Sequence, residues 1–254
     1  MTFLFPCFRQ LKRQLGELDA VCECIELAVR ELVTQEEAML DGKLFVSQLS
    51  EKHGVRVNRM DAPLLRGHAV HLYLVSVHQG LEDFLLALKR EHPSSSSWNM
   101  AGDDDRLTRT ARAVGLAPTL AFDLCQHYRE VRNAFVHSGA RASLRDRDDL
   151  RGRVASDTSL ASLKAPSTFS SVSFDDFVLF TRSVKAVAKE LCEAARPCDA
   201  TLTKLAVSHA RKTGLQGRLA QNPSRLARAM SSFLQTTYSM TRAEADRIAE
   251  GSLA

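Results

Sequence analysis

The sequence predicts an all-α fold. Apolar residues recur at steps of three and four over long stretches, the spacing of one helical face. Aromatic residues make up only 6% of the chain, with one Trp and three Tyr, which favours helices packed through Leu, Val and Ala over a β-sandwich. Signals for a parallel sheet are absent, as is any Gly-rich phosphate loop of the strand-to-helix kind. No unit of solenoid length repeats.

The elements follow in order. Leu11, Leu15, Leu18, Cys22, Ile25, Val29 and Leu32 form the stripe of an amphipathic helix from about Phe8 to Met39, with Gly42 as a stop just beyond it. Residues 43–62 are mixed, short helix or loop. A second helix opens after Pro63 and runs to about His92, with Val70, Leu74, Val77, Leu81, Phe84 and Leu88 inward. Pro93 and four consecutive serines end it, and a loop rich in Asp leads to a short helix over 104–114. Pro118 starts a strong helix to about His137, with Leu120, Leu124, Tyr128, Val131 and Phe135 inward and Ser138-Gly139 as its stop. Residues 141–173 read as a long connection. Asp175 or Asp176 is a candidate cap for a helix from Phe177 to Ala195, which Pro197 closes. The tail carries two or three helical segments broken near Gly214–Gly217 and Asn222-Pro223.

With 254 residues, 44% hydrophobic and 25% charged, the chain has the composition of an ordinary globular protein of one large or two small domains. We divide it into an N-terminal helical extension (1–62), a helical bundle (63–197) and a basic helical C-terminal region (198–254). No apolar run approaches the roughly 18 residues that span a bilayer. The start of the chain lacks the pattern of a signal peptide. The expectation is a cytoplasmic protein without membrane contact. Cys7, Cys22, Cys24, Cys125, Cys192 and Cys198 are scattered, and their spacing gives neither a disulfide framework nor a zinc-ligand set. We expect reduced, mostly buried thiols and no cofactor.

The net charge of +4 is unevenly spread. Residues 200–243 contain no Asp or Glu, yet hold Lys204, Arg211, Lys212, Arg218, Arg225, Arg228 and Arg242. Such a tract points to a polyanion, most simply nucleic acid; a solvated helical face is the alternative. A helix-turn-helix over Leu215 to Thr237 is a further reading of the same stretch.

The stretch richest in chemistry is Tyr128-Arg-Glu-Val-Arg-Asn-Ala-Phe-Val-His-Ser-Gly139. Arg129, Asn133 and His137 are four residues apart and stack on the face opposite the core. Arg132 lies at the boundary, where its stem can cover apolar surface while the guanidinium reaches out. His137 falls in the last turn, where the helix macrodipole favours a cation, and Asn133 one turn earlier could orient its ring. A histidine titrates near neutrality and serves as acid or base, while an arginine supplies a permanent planar cation for phosphate. The alternative for both is helix capping or solvent contact.

Arg132-Asn133-Ala-Phe-Val-His137 resembles the signature of the HEPN superfamily, Arg and a polar residue followed by His four to six residues after the Arg. The surrounding helices, over about residues 63–197, fit the same pattern. One of them carries His71, His78 and Glu82 on one flank; a surface pair is the alternative for the last two, and a metal site is disfavoured by their wide spacing. The resemblance implies a HEPN-like bundle acting as a metal-independent endoribonuclease and dimerising through the motif helix. Arg132 would bind the scissile phosphate, His137 would act as base or acid, Asn133 would position one of them, and Glu82 would assist. The products would be a 2′,3′-cyclic phosphate and a 5′-hydroxyl. Arg129, Lys204, Arg211, Lys212 and Arg218 would contact the RNA. Relatives of this kind serve as toxins or defence effectors, which implies an antitoxin or regulatory partner. The competing expectation is a non-catalytic helical module that binds nucleic acid or protein.

Overall fold

Eleven α-helices and no strand are found among the residues that the computed structural model describes, namely 3–39, 42–57, 62–137, 148–219 and 221–251. The helices are α1 (Pro6–Ala38), α2 (Gly42–His53), α3 (Ala62–Glu91), α4 (Arg106–Val114), α5 (Leu120–Val136), α6 (Asp148–Ser156), α7 (Phe174–Ala194), α8 (Asp199–Lys212), α9 (Leu215–Arg218), α10 (Pro223–Tyr238) and α11 (Arg242–Glu250). The all-α expectation therefore holds. None of the described helices is long and apolar enough to cross a membrane.

Local chemistry sets the ends. Asp105 caps α4 by accepting the Thr108 amide at 3.1 Å, and Gly115 closes it with φ 73°, a left-handed conformation that glycine adopts without strain. Thr119 caps α5 through the Phe122 amide at 3.2 Å. Asn222 caps α10, with Pro223 in its first turn, where its missing N–H costs nothing. Gly42 does not stop a helix as expected; it opens α2. The long connection before α7 contains α6 and a short 3-10 turn, Phe169–Ser171. The stretch Leu215 to Thr237 holds one single-turn helix and one long one, so it does not supply two full helices for a helix-turn-helix.

The apolar stripe of α3 is inward throughout, with Val70, Leu74, Val77, Leu81, Phe84 and Leu88 all buried. That of α1 is only partly so. Leu11, Leu15, Cys22 and Val29 are buried, but the line continues to Val33, and Ile25 is 44% exposed. On a 3.6-residue helix the expected stripe drifts sideways, and the neighbouring elements cover only one edge of it.

The contacts divide the chain into two compact units, each built from separated stretches. One, the motif unit, comprises Arg13–Gly80 and Pro118–Lys185; the other, the terminal unit, comprises Met1–Lys12, Leu81–Ala117 and Ala186–Ala254. The N-terminal extension and the bundle read from the sequence each contribute to both, while the C-terminal region lies wholly in the terminal unit.

In the motif unit, Tyr73 packs on Phe177 at 5.5 Å between ring centroids and Tyr128 on Phe180 at 5.0 Å. Lys185 pairs with Asp19 at 2.7 Å, and Arg153 with Asp123 at 2.6 Å, tying α7 to α1 and α6 to α5. The fully buried Asp176 is its polar centre. One carboxylate oxygen accepts the Tyr128 hydroxyl at 2.9 Å and the Ser167 amide at 2.8 Å. The other accepts the Ser173 amide at 2.8 Å and the Ser173 hydroxyl at 3.1 Å. The helix begins at Phe174, not Phe177, and Asp176 in its first turn reaches back to Ser173 in capping-box fashion. Burial and the Asp176 charge push the Tyr128 hydroxyl well above its ordinary pKa, so it stays a donor.

In the terminal unit the N-terminal segment lies along α10. The Leu4 amide donates to the Tyr238 carbonyl at 2.9 Å, Phe3 stacks on Tyr238, and Arg9 donates to the carbonyls of Thr236 and Thr237. These bonds satisfy acceptors that the end of α10 would otherwise leave open. Asp199 at the start of α8 accepts from Arg196 and Arg247, both at distances below 3 Å, and the two guanidinium groups hold its carboxyl below the usual range. Four of the six cysteines, Cys7, Cys22, Cys125 and Cys192, are buried and all six are free thiols. Burial pushes Cys22 up to about 11 and Cys192 up to about 12.

Tyr128→Phe costs about 1 kcal/mol, and Asp176→Ala about 3 kcal/mol because several donors lose their acceptor at once. Chemical denaturation measures both, and changes under about 0.5 kcal/mol in each would remove Asp176 from its central place. Asp199 has a lowered folded pKa, so its contribution is present above the unfolded value of 3.8 and disappears as pH falls through the folded one. Asp199→Asn should therefore melt below the parent at pH 7, with the gap closing in acid.

Candidate active site at the end of helix α5

The end of α5 is fixed from within. Leu124, Tyr128, Val131 and Ala134 are buried, which turns Arg132 and Asn133 to the half-buried boundary. Phe135 is half-buried rather than core. The ring of His71 stacks on it at 4.6 Å and 17°, and His68 meets it edge-on at 5.4 Å. His71 is itself buried, with Nδ1 2.6 Å from the Gly67 carbonyl. It thus belongs to the packing that supports the motif.

Arg132 donates from Nη1 to Asn133 Oδ1 at 3.0 Å. Its Nε is buried and has no hydrogen-bond partner, and no carboxylate pairs with the guanidinium among the described residues. The cation is held by an amide that leaves its full charge uncompensated.

His137 departs from the expectation. It is not in the last turn but one residue beyond it, with extended backbone (φ −118°, ψ 102°), and its amide donates to the Asn133 carbonyl at 2.8 Å. The ring is exposed and makes no hydrogen bond among the described residues. Leaving the helix frees the side chain from the roughly 140° that five helical residues would place between it and Arg132. Asn133 thus serves both residues differently than expected. Its side chain holds Arg132 and its main-chain carbonyl holds the backbone of His137. Ser138 and Gly139, read as the stop of this helix, lie outside the described residues.

Other predicted residues are placed elsewhere or otherwise engaged. Glu82 belongs to the terminal unit, where it pairs with Arg106 at 3.2 Å. Arg129 donates Nε to Gln126 Oε1 at 2.8 Å. Arg218 donates to the carbonyls of Thr213 and Gly214 and closes the turn after α8. Lys204, Arg211 and Lys212 are exposed on α8. Among the described residues no three His, Cys, Asp or Glu side chains gather as a metal-ligand set.

Asp176 is the residue that sequence reasoning undervalued. It was a candidate cap, whereas its second oxygen anchors Tyr128, one turn before Arg132. The Ser173-x-x-Asp176 spacing is the signal that marks the helix start. A cleft of about 480 Å³ opens elsewhere in the motif unit, against Glu26, Arg30, Arg66, Val70 and Phe174, and neither Arg132 nor His137 lines it.

The sequence matches no model of a known protein family and no curated protein, and no solved structure matches the chain.

The Glu82–Arg106 pair is part-exposed on both sides, 25% and 31%, so a double-mutant cycle of Glu82→Gln and Arg106→Gln should give a coupling of under about 1 kcal/mol. A coupling several times larger would mark Glu82 as a structural linchpin.

Proposed function

We propose that the chain is a metal-independent endoribonuclease of the HEPN type, active as a homodimer around the end of α5. One observation carries this reading: an exposed histidine stands five residues from a half-buried arginine whose charge no described carboxylate neutralises. Arg106, Arg153 and Arg196, by contrast, each pair with a carboxylate. An arginine kept uncompensated is suited to an incoming anion.

In this reaction a 2′-hydroxyl oxygen attacks the adjacent phosphorus and the bond from phosphorus to the 5′-oxygen breaks. His137 takes the 2′ proton, and His137 of the partner subunit gives a proton to the departing 5′-oxygen. Arg132 stabilises the charge that builds on the phosphoryl oxygens, and Asn133 fixes its guanidinium. The products carry a 2′,3′-cyclic phosphate and a 5′-hydroxyl.

The test is cleavage of mixed RNA in excess EDTA by the parent, Arg132→Ala and His137→Ala, with analysis of the product ends. The parent should leave cyclic phosphate ends. Each variant should lose at least about a hundredfold in rate, the scale of general acid–base and electrostatic contributions. DNA of the same sequence should survive. Equal cleavage by all three proteins would place the activity elsewhere. Absence of cleavage, with RNA binding retained, would favour a helical binding module.

A further inference from the structure

The seven cations of the acid-free stretch do not share one fate. Arg218 clamps backbone carbonyls, and Arg242 pairs with Asp246 at 3.5 Å. Lys204, Arg211, Lys212, Arg225 and Arg228 are exposed, and their side chains make no ion pair or hydrogen bond among the described residues. Their positions are ordered by the packing beneath them. On α8, Leu202, Ala206 and Ala210 are buried, which turns Lys204, Ser208, Arg211 and Lys212 outward together. On α10, Leu226, Met230 and Leu234 are buried, which turns Arg225, Arg228 and Ser232 outward. His209 of α8 stacks on Phe233 of α10 at 4.0 Å and 12°, and α9 packs against both helices. Arg211 and Lys212 end α8, and Arg225 lies in the first turn of α10, so three of the five cations flank the α9 connection.

We propose that these five residues form a docking face for the phosphate backbone of RNA, separate from the Arg132 and His137 residues. The choice of RNA rests on the ribonuclease reading; the electrostatic face itself does not. Five uncompensated cations on two packed helices concentrate positive potential, and each phosphate they meet releases a condensed counterion. Among the described residues the face has no free aromatic platform. Of the aromatic residues on α8 to α11, Phe233 is stacked on His209 and Tyr238 is buried. Recognition is therefore of phosphates rather than of stacked bases. Such a face would bind strands of any sequence.

The experiment measures binding of the full chain to a labelled, single-stranded 2′-O-methyl RNA across a range of salt concentrations. That probe keeps the phosphates and lacks the nucleophile, so cleavage cannot interfere. The variant replaces Lys204, Arg211, Lys212, Arg225 and Arg228 with Gln. All five are exposed, and an unchanged thermal melt checks that the fold persists. Against the parent, the slope of log affinity on log salt should fall in magnitude by about 3 to 4, with affinity at low salt down by about a hundredfold or more. Replacing the exposed Lys52 and Arg56 of the motif unit with Gln should leave the slope unchanged. A five-residue variant with the parent's slope overturns the proposal, as does a parent that does not bind. Binding lost by the variant in a chain that never cleaves RNA would sink the ribonuclease reading alone. Normal binding by the variant, with cleavage intact in the parent, would sink this one alone.

Discussion

The motif unit depends on one buried carboxylate. A charge removed from water costs several kcal/mol unless other groups replace the lost hydration. Asp176 is fully buried, and its replacements come from three places: the Tyr128 hydroxyl on α5, the Ser167 amide in the preceding segment, and the amide and hydroxyl of Ser173 before α7. The N-terminal dipole of α7 adds to them. Those donors must all be in place together, so the carboxylate fixes how α5, the preceding segment and α7 meet. Tyr128 stands one turn before Arg132, and the candidate site inherits its position from that anchor.

Around the anchor, the protein distinguishes cations by what they touch. Arg153 and Lys185 meet carboxylates and hold helices to one another, while Arg9 and Arg218 meet open carbonyls and hold segment ends. Among the described residues, Arg132 bonds only to an amide oxygen, and five side chains on α8 and α10 make no hydrogen bond or ion pair. Paired charges contribute to geometry; uncompensated ones create potential outside the protein surface. The proposed functions rest on that second group.

The α3 stripe was legible because one face is covered along its whole length, so burial and periodicity coincide. The α1 stripe was legible only in part, because Ile25 satisfies the spacing but is left 44% exposed. The Arg132-Asn133-His137 spacing was visible, but spacing alone does not show that His137 takes extended backbone just past the last turn. Arg129 and Arg218 could be recognised as cations but not as engaged ones, since their partners are local acceptors that charge counting ignores.

By itself, the sequence determined the helical class, the approximate extent of the main helices, the acid-free basic tract and the residues at the end of α5. These are properties of local spacing and composition, which each segment carries wherever it lies. The tertiary structure alone decided that Asp176 is a buried anchor, that Glu82 is bound to Arg106, that Arg132 is held by Asn133, and which of the tail's cations remain uncompensated. Each of those depends on which group occupies the space beside a side chain. Between α5 and α7 that neighbour lies 48 residues away in the chain, a distance over which periodicity carries no information.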